Sequence, residues 1–225
     1  MPGTGRQLET GLPVPAWAVR KCPTAKVDIG VQGRLKLKWL GGLPIHPPVI
    51  RFSVRRPSVI APAYARHEAQ RLQALRALLI LDTPPEERFD RIVRFAVDEF
   101  EVPMAAITLV DEERQWFKAS HGLSLCETSR DVSFCGHAIL RTEAMLVPDA
   151  LLDPRFFDNP LVQGAPRVRF YAGAPLVLPG GEAVGTLCVF DTRPRELDRI
   201  DIAVLGALRD LVVEQLLGAR RAACS

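Results

Sequence analysis

From about residue 64 the apolar positions fall into helical spacing, and Leu72, Leu75 and Leu79 among flanking Arg and Glu predict a first helix running to about Ile80. The segment Asp82-Thr83-Pro84-Pro85-Glu86 predicts where a second helix starts, with Thr83 as cap, Pro84 at the first helical position and Glu86 closing a capping box. Phe89, Ile92, Val93, Ala96 and Phe100 then share one face, and Pro103 ends the element. Beyond it the pattern alternates. Ile107 to Val110 is largely β-branched, residues 111 to 114 are charged, and Gln115 to Ser120 alternates back, which predicts a β-hairpin with Trp116 and Lys118 on one face and Phe117 on the other.

The stretch Ser129 to Leu140, SRDVSFCGHAIL, predicts a turn that becomes a short helix, with Asp131 and Ser133 as caps. A strand at Met145 to Val147 follows, then a long polar and aromatic loop marked by Asp153-Pro154 and Asn159-Pro160. Loops of this length inside a compact domain often carry function. Val168 to Leu178 and Ala183 to Phe190 predict a second hairpin around Pro179-Gly180-Gly181, apolar on both faces and therefore central in its sheet. A last helix is expected from about Glu196 to Leu217. Its stripe of Leu197, Ile200, Val204, Leu208, Leu211 and Val212 is widened by Ile202, Leu205 and Val213. A face that wide predicts a homodimer through the terminal helices, with Leu205 as the residue that meets the partner. The order of elements gives an α+β domain with one antiparallel sheet.

Composition adds an asymmetry. Residues 1 to 66 carry eleven Lys or Arg against two acids, Glu9 and Asp28, while the remainder is net acidic and the whole chain stands at +3. Residues 1–62 also hold nine of the nineteen prolines, so this basic arm reads as disordered, as does the tail 219–225, leaving 63–218 as the domain. Without aromatic and basic residues interleaved, the arm does not point to nucleic acid. No run is long and apolar enough to span a membrane, and no signal peptide stands at the N-terminus, which together predict a cytoplasmic protein. Five cysteines without a CxxC pair predict reduced thiols.

The series ILDTPPEERFDRI, LVDEERQWFKASHGL, SRDVSFCGHAIL, VPDALLDPRFFDNPLV, RFYAGAPL and GTLCVFDTRPR, over about Leu75 to Leu216, resembles a GAF domain of the bacterial type found ahead of histidine kinases and diguanylate cyclases. The resemblance implies a central antiparallel sheet, terminal helices packed on one face and mediating dimerisation, and a ligand pocket with long loops on the other. It also implies a sensory role in signal transduction. No kinase, cyclase or phosphatase segment follows the last helix, so the expected mode is a non-enzymatic domain acting through a separate or lost effector, with a histidine kinase or cyclase as its partner.

Chemistry concentrates around the same stretch. Cys135 would be reactive at a helix start beside a cationic His137, and would otherwise line a pocket or pack in the core. Trp116, Phe134, Phe156, Phe170 and Tyr171 are candidates to stack on a flat ligand, Arg155, Arg167 and Arg169 to clamp an anionic one, and Asp149 is a further candidate ligand-binding residue. Cys135, His137, Asp149 and Asp153 match no established zinc spacing, so no metal is assigned, and the ligand and any cofactor stay unidentified. Within the family resemblance, bilin-binding members attach their chromophore through a cysteine directly followed by histidine, where Gly136 intervenes here; the signature of cyclic-nucleotide-binding members is absent. Free methionine-R-sulfoxide reductases use three cysteines around the pocket. Cys126 and Cys135 resemble two of them, the third has no counterpart in the loop, and Cys188 is a poor substitute. A thiol-dependent oxidoreductase is the alternative function.

Overall fold

The computed structural model describes residues 19–21 and 59–223. In chain order its elements are β1 (Val19–Lys21), α1 (Glu68–Arg76), α2 (Glu87–Glu99), β2 (Met104–Val110), β3 (Arg114–His121), β4 (Leu125–Ser129), a 3-10 turn (Arg130–Val132), α3 (Phe134–Ala138), β5 (Met145–Val147), α4 (Pro160–Gln163), β6 (Phe170–Val177), β7 (Ala183–Asp191) and α5 (Arg199–Ala223). The strands form one sheet in the order β1-β4-β3-β2-β7-β6-β5, antiparallel at every pairing. This is the α+β architecture that the alternation and helical spacing predict, with the β6–β7 hairpin inside the sheet.

Alternation along the central strands divides the core in two. Ala105, Ile107, Leu109, Leu187, Val189 and Ala172 face the layer of α2 and α5, and Phe89 inserts among them fully buried. Ala106, Val110, Cys188, Phe190 and Tyr171 face the opposite side, beneath α3 and the long loop. An aromatic side chain buried like Phe89 contributes about 1.5–3 kcal/mol by removal from water. A register shift in the β2–β3 ladder between Ile107 and Thr108 keeps Trp116 and Ala119 on the helix side while Phe117 points to the other.

Several local expectations give way to identifiable physical effects. Helix α1 ends at Arg76 in two tightened turns, and Leu79, with a left-handed φ of 52°, stops it from running on to Ile80. Helix α2 begins at Glu87, not at Pro84: the ring of Pro85 disfavours a helical conformation for the residue before it. Thr83 accordingly does not cap. Its hydroxyl donates to the Ile80 carbonyl at 2.7 Å and accepts from the buried Lys118 Nζ at 2.7 Å, and Lys118 also donates to the Pro84 carbonyl at 2.8 Å and pairs with Glu86 at 2.7 Å. The DTPPEE segment is thus a socket for a buried lysine.

Helix α5 turns differently from its apparent stripe. Leu205, Val212 and Leu216 are fully buried against the sheet, whereas Ile200 is 72% exposed and Leu211 40%. Leu205 therefore belongs to the core and cannot be the residue that meets a partner. The α5 backbone stays helical to Ala223, into the segment expected as a tail. Most of the basic arm lies outside the described residues, but the two described pieces of it touch the domain. Strand β1 pairs with β4, Val19 opposite Thr128, and Pro62 is buried against α3. Among the described residues no helix is long and apolar enough to cross a membrane.

Candidate functional site

The anchor stretch folds as two successive capped turns. Ser129 Oγ accepts from the Asp131 amide at 3.3 Å at the 3-10 turn, and Ser133 Oγ accepts from the Gly136 amide at 2.8 Å at the start of α3. Ser133 is the cap that the sequence suggests; Asp131 is exposed and does not cap α3. The Ser133 hydroxyl in turn donates to Gln115 Oε1 on β3. Asn159 ties the long loop to this turn, its Nδ2 donating to the Val132 carbonyl at 2.9 Å while its Oδ1 caps α4 by accepting from the Leu161 amide at 2.9 Å.

Cys135 points from α3 down onto the sheet and is fully buried. Its Sγ lies 3.7 Å from Cys188 Sγ on β7 and accepts from the Tyr171 hydroxyl at 3.4 Å. Cys188 can also donate to the Ala106 carbonyl at 3.4 Å. Thr108 and Thr186, opposite one another on β2 and β7, face the same sulfur with their hydroxyls 3.1 Å apart. Burial alone raises a thiol pKa, but hydrogen bonds from Cys188, Thr108, Thr186 and Tyr171 outweigh it and bring Cys135 down to about 7. Burial pushes the Tyr171 phenol and the Cys188 thiol well up, so both keep their protons and act as donors.

Aromatic rings close the space above. Phe134 stacks on Phe156 with centroids 4.0 Å apart, Tyr171 lies 5.2 Å from both Phe134 and Phe190, and His137 meets the edge of Phe156 at 5.1 Å. Gly173 makes room for this, since a Cβ there would sit 2.0 Å from the Tyr171 hydroxyl oxygen. The cavity left beside Cys135 holds about 20 Å³ and is walled by Phe117, Leu123, Leu125, Phe134 and Phe190. That volume admits one water-sized group and no flat ligand.

The expected site residues divide accordingly. Phe134, Cys135 and Tyr171 come together. Trp116 and Phe170 do not, because both lie in the core on the helix side; Phe170 and Tyr171 are neighbours on one strand and must face opposite ways. His137 is nearly half a turn around α3 from Cys135, and its Nε2–H donates to the Ile60 carbonyl at 2.9 Å. Burial, the largest effect on it, lowers its pKa, so it supplies no cation to the thiol. Asp149 accepts twice from Arg169, at 2.7 and 2.6 Å, and Arg155 is bound to Asp153 at 2.6 Å with its guanidinium over Phe156, which offsets the charge an anion clamp would use. Cys126 is disulfide-bonded, against the expectation of reduced thiols, and this removes it as a free catalytic partner for Cys135. Cys188, set aside as a substitute, is the cysteine that meets Cys135. Thr108 and Thr186 were not foreseen, although two threonines amid the apolar runs AAITLV and GTLCVF are a visible signal of polar atoms inside a core.

The sheet, the helices on one face and the roofed thiol cluster on the other define a sensory signalling domain, and the chain belongs to the GAF domain family, which it matches over residues 84–216. It is similar to a cyclic di-GMP phosphodiesterase of Pseudomonas aeruginosa, at 44% identity over 156 residues that make up 69% of this chain and 27% of the relative. The chain thus spans only about a quarter of that protein. The relative is named for an enzymatic activity, which overturns the expectation that this chain is not an enzyme. Among solved structures, the GAF domain of an Acinetobacter phosphoenolpyruvate-protein phosphotransferase aligns with a TM-score of 0.51 at 21% identity, covering 69% of this chain and 98% of the other. The free methionine-R-sulfoxide reductase of Neisseria meningitidis, solved with its substrate, aligns with a TM-score of 0.51 at 16% identity, covering 73% and 99%. These two likenesses are of fold.

Proposed function

We propose that this GAF domain is the signal-receiving part of a cyclic-di-GMP-degrading system, and that the signal enters at the face of the sheet covered by α3. The 44% identity to a cyclic di-GMP phosphodiesterase is the observation that carries the first half of this reading. The second half is supported by polar groups collected around Cys135 in an otherwise apolar layer. A shift at α3 alters the sheet, and the sheet carries α2 and α5 on its other face, so the two sides are coupled through shared strands.

The output side would be a homodimer. Between α2 and α5 runs a groove of about 490 Å³, bordered by Arg88, Ile92, Phe95, Leu208 and Leu211, with Phe95 50% exposed. Apolar residues exposed along a groove suit a symmetric copy of the same helices.

The test is a chimaera in which the matching 156 residues of the phosphodiesterase are replaced by those of this chain. Cyclic di-GMP hydrolysis is then followed across candidate small molecules and oxidants, for the native sequence and for Cys135→Ala. Hydrolysis that responds in the native chimaera and is blunted in the variant is expected; a rate indifferent to both would refute the proposal. Turnover of methionine sulfoxide with a thiol reductant would favour the oxidoreductase instead.

A further inference from the structure

We infer that Cys135 and Cys188 form a peroxide-oxidisable dithiol, and that its closure to a disulfide is read at the N-terminal strap Ile60–Pro62 through α3. The inference rests on the sensory reading of this face and names its signal: a small hydroperoxide, of which hydrogen peroxide is the smallest.

Two buried cysteines can be mere packing, and three observations set this pair apart. The sulfurs are 3.7 Å apart, with no atom needed between them. Three hydroxyls, from Tyr171, Thr108 and Thr186, are buried around Cys135, a cost that apolar packing does not require. The cavity of about 20 Å³ opens on Cys135 and does not include Cys188 among its walls. It therefore presents one sulfur to the leading oxygen of a small peroxide, for which it has room, and keeps the other sulfur behind it.

The chemistry balances with the peroxide as sole oxidant. The Cys135 thiolate attacks one peroxide oxygen, the O–O bond breaks, and the departing hydroxide takes up the proton that Cys135 released, leaving as water. Cys135 is then a sulfenic acid whose new oxygen occupies the cavity. Cys188 sulfur attacks Cys135 sulfur from the sheet side, the S–O bond breaks, and hydroxide leaves with the Cys188 proton as a second water. Two thiols and one hydrogen peroxide give one disulfide and two waters.

Closing the bond brings the sulfurs from 3.7 Å to about 2 Å. Strand β7 is paired on both sides, with β2 and β6, whereas α3 is a single five-residue helix, so α3 is the element that moves. The two residues after Cys135 hold the strap. Gly136 packs so closely on Pro62 that a Cβ would lie 2.6 Å from the proline ring, and His137 donates to the Ile60 carbonyl. Drawing α3 toward the sheet withdraws both contacts together.

The test uses the full chain, reduced, desalted and treated with hydrogen peroxide or, separately, with the bulky disulfide reagent DTNB. Unfolding in alkylating agent and peptide mapping follow. Peroxide should yield a Cys135–Cys188 cross-linked peptide, and DTNB in the folded state should yield no adduct on either residue. In Cys188→Ser, peroxide should carry Cys135 on to the sulfinic acid. Hydrogen exchange of residues 59–66 should speed up several-fold on oxidation of the native protein and not of Cys188→Ser. Both cysteines staying alkylatable, or Cys135 overoxidised while Cys188 stays reduced in the native chain, would overturn the dithiol; unchanged exchange would overturn its coupling to the strap. The outcomes separate this inference from the wider reading. A chimaera regulated by a small molecule with both thiols reduced leaves the sensory role standing without the dithiol, and a disulfide that leaves hydrolysis unmoved does the reverse.

Discussion

Replacing Glu68 by alanine should destabilise the domain by about 2–3 kcal/mol near neutral pH, because this one carboxylate neutralises two buried guanidiniums. Its oxygens accept from Arg71 at 2.6 and 3.0 Å and from Arg130 at 2.6 Å, and both arginine side chains are 3% exposed. Little else would compensate. Arg71 would keep the Val110 carbonyl at 2.7 Å, while Arg130 would keep the Asp111 and Glu112 carbonyls at 3.2 and 3.4 Å and the face of Tyr64. Among the described residues, two nitrogens of Arg130 are already buried without a partner. Breaking a buried pair costs about 3–5 kcal/mol, and partial contact of Glu68 with water reduces that figure. Its pKa gives the same scale. Burial raises it, but hydrogen bonds from Arg71 and Arg130 prevail and lower it from 4.5 to about 2, equivalent to about 3 kcal/mol before allowing for solvent screening. Since the folded value is the depressed one, the contribution is fully present above pH 4.5 and is lost as pH falls toward about 2. Urea unfolding of native protein and Glu68→Ala at pH 7 and pH 3 measures this. The gap should be wide at pH 7 and narrow at pH 3. An equal gap at both would mean that Glu68 acts by packing and not by charge.

Three further outcomes are expected. Gly173→Ala should cost about 1–3 kcal/mol by driving a methyl group into the Tyr171 ring, and the cost should shrink in a Tyr171→Leu background, as a double-mutant cycle by chemical denaturation would read. Lys118→Met keeps volume but removes donors from Thr83, Pro84 and Glu86, so it should cost about 1–3 kcal/mol, and Lys118→Ala more, since it also leaves a void; thermal melts compare the two. If α2 and α5 form the dimer, Phe95→Glu and Leu211→Glu should give folded monomers by light scattering, whereas Leu205→Glu should unfold the chain, and a native monomer at tens of micromolar would refute the interface.

What the sequence made legible was periodicity. The strand pairs, the two faces of β3 and the helix after Pro85 follow from spacings of two and of three or four, and these survive in the structure because each buries a face. The register of α5 did not follow. Its apolar residues are dense enough to offer more than one stripe, and only the sheet selects Leu205, Val212 and Leu216. Capping at Thr83 failed for a local reason that was in the sequence, the second proline. The role of that segment as a socket for Lys118 depends on residues more than thirty positions apart, which no local pattern encodes.

The candidate site illustrates the same limit at finer scale. Cys135, Gly136 and His137 stand together in sequence and invite reading as one cluster, yet successive residues of a helix point about 100° apart. Cys135 therefore faces the sheet and Cys188, Gly136 faces Pro62, and His137 faces the carbonyl of Ile60. A composite ligand site was the natural expectation from the motif, whereas the fold distributes the motif over three separate contacts. That distribution is what allows one small helix to connect a buried thiol pair with the chain segment entering the domain, because any displacement felt by the first residue is shared by the next two.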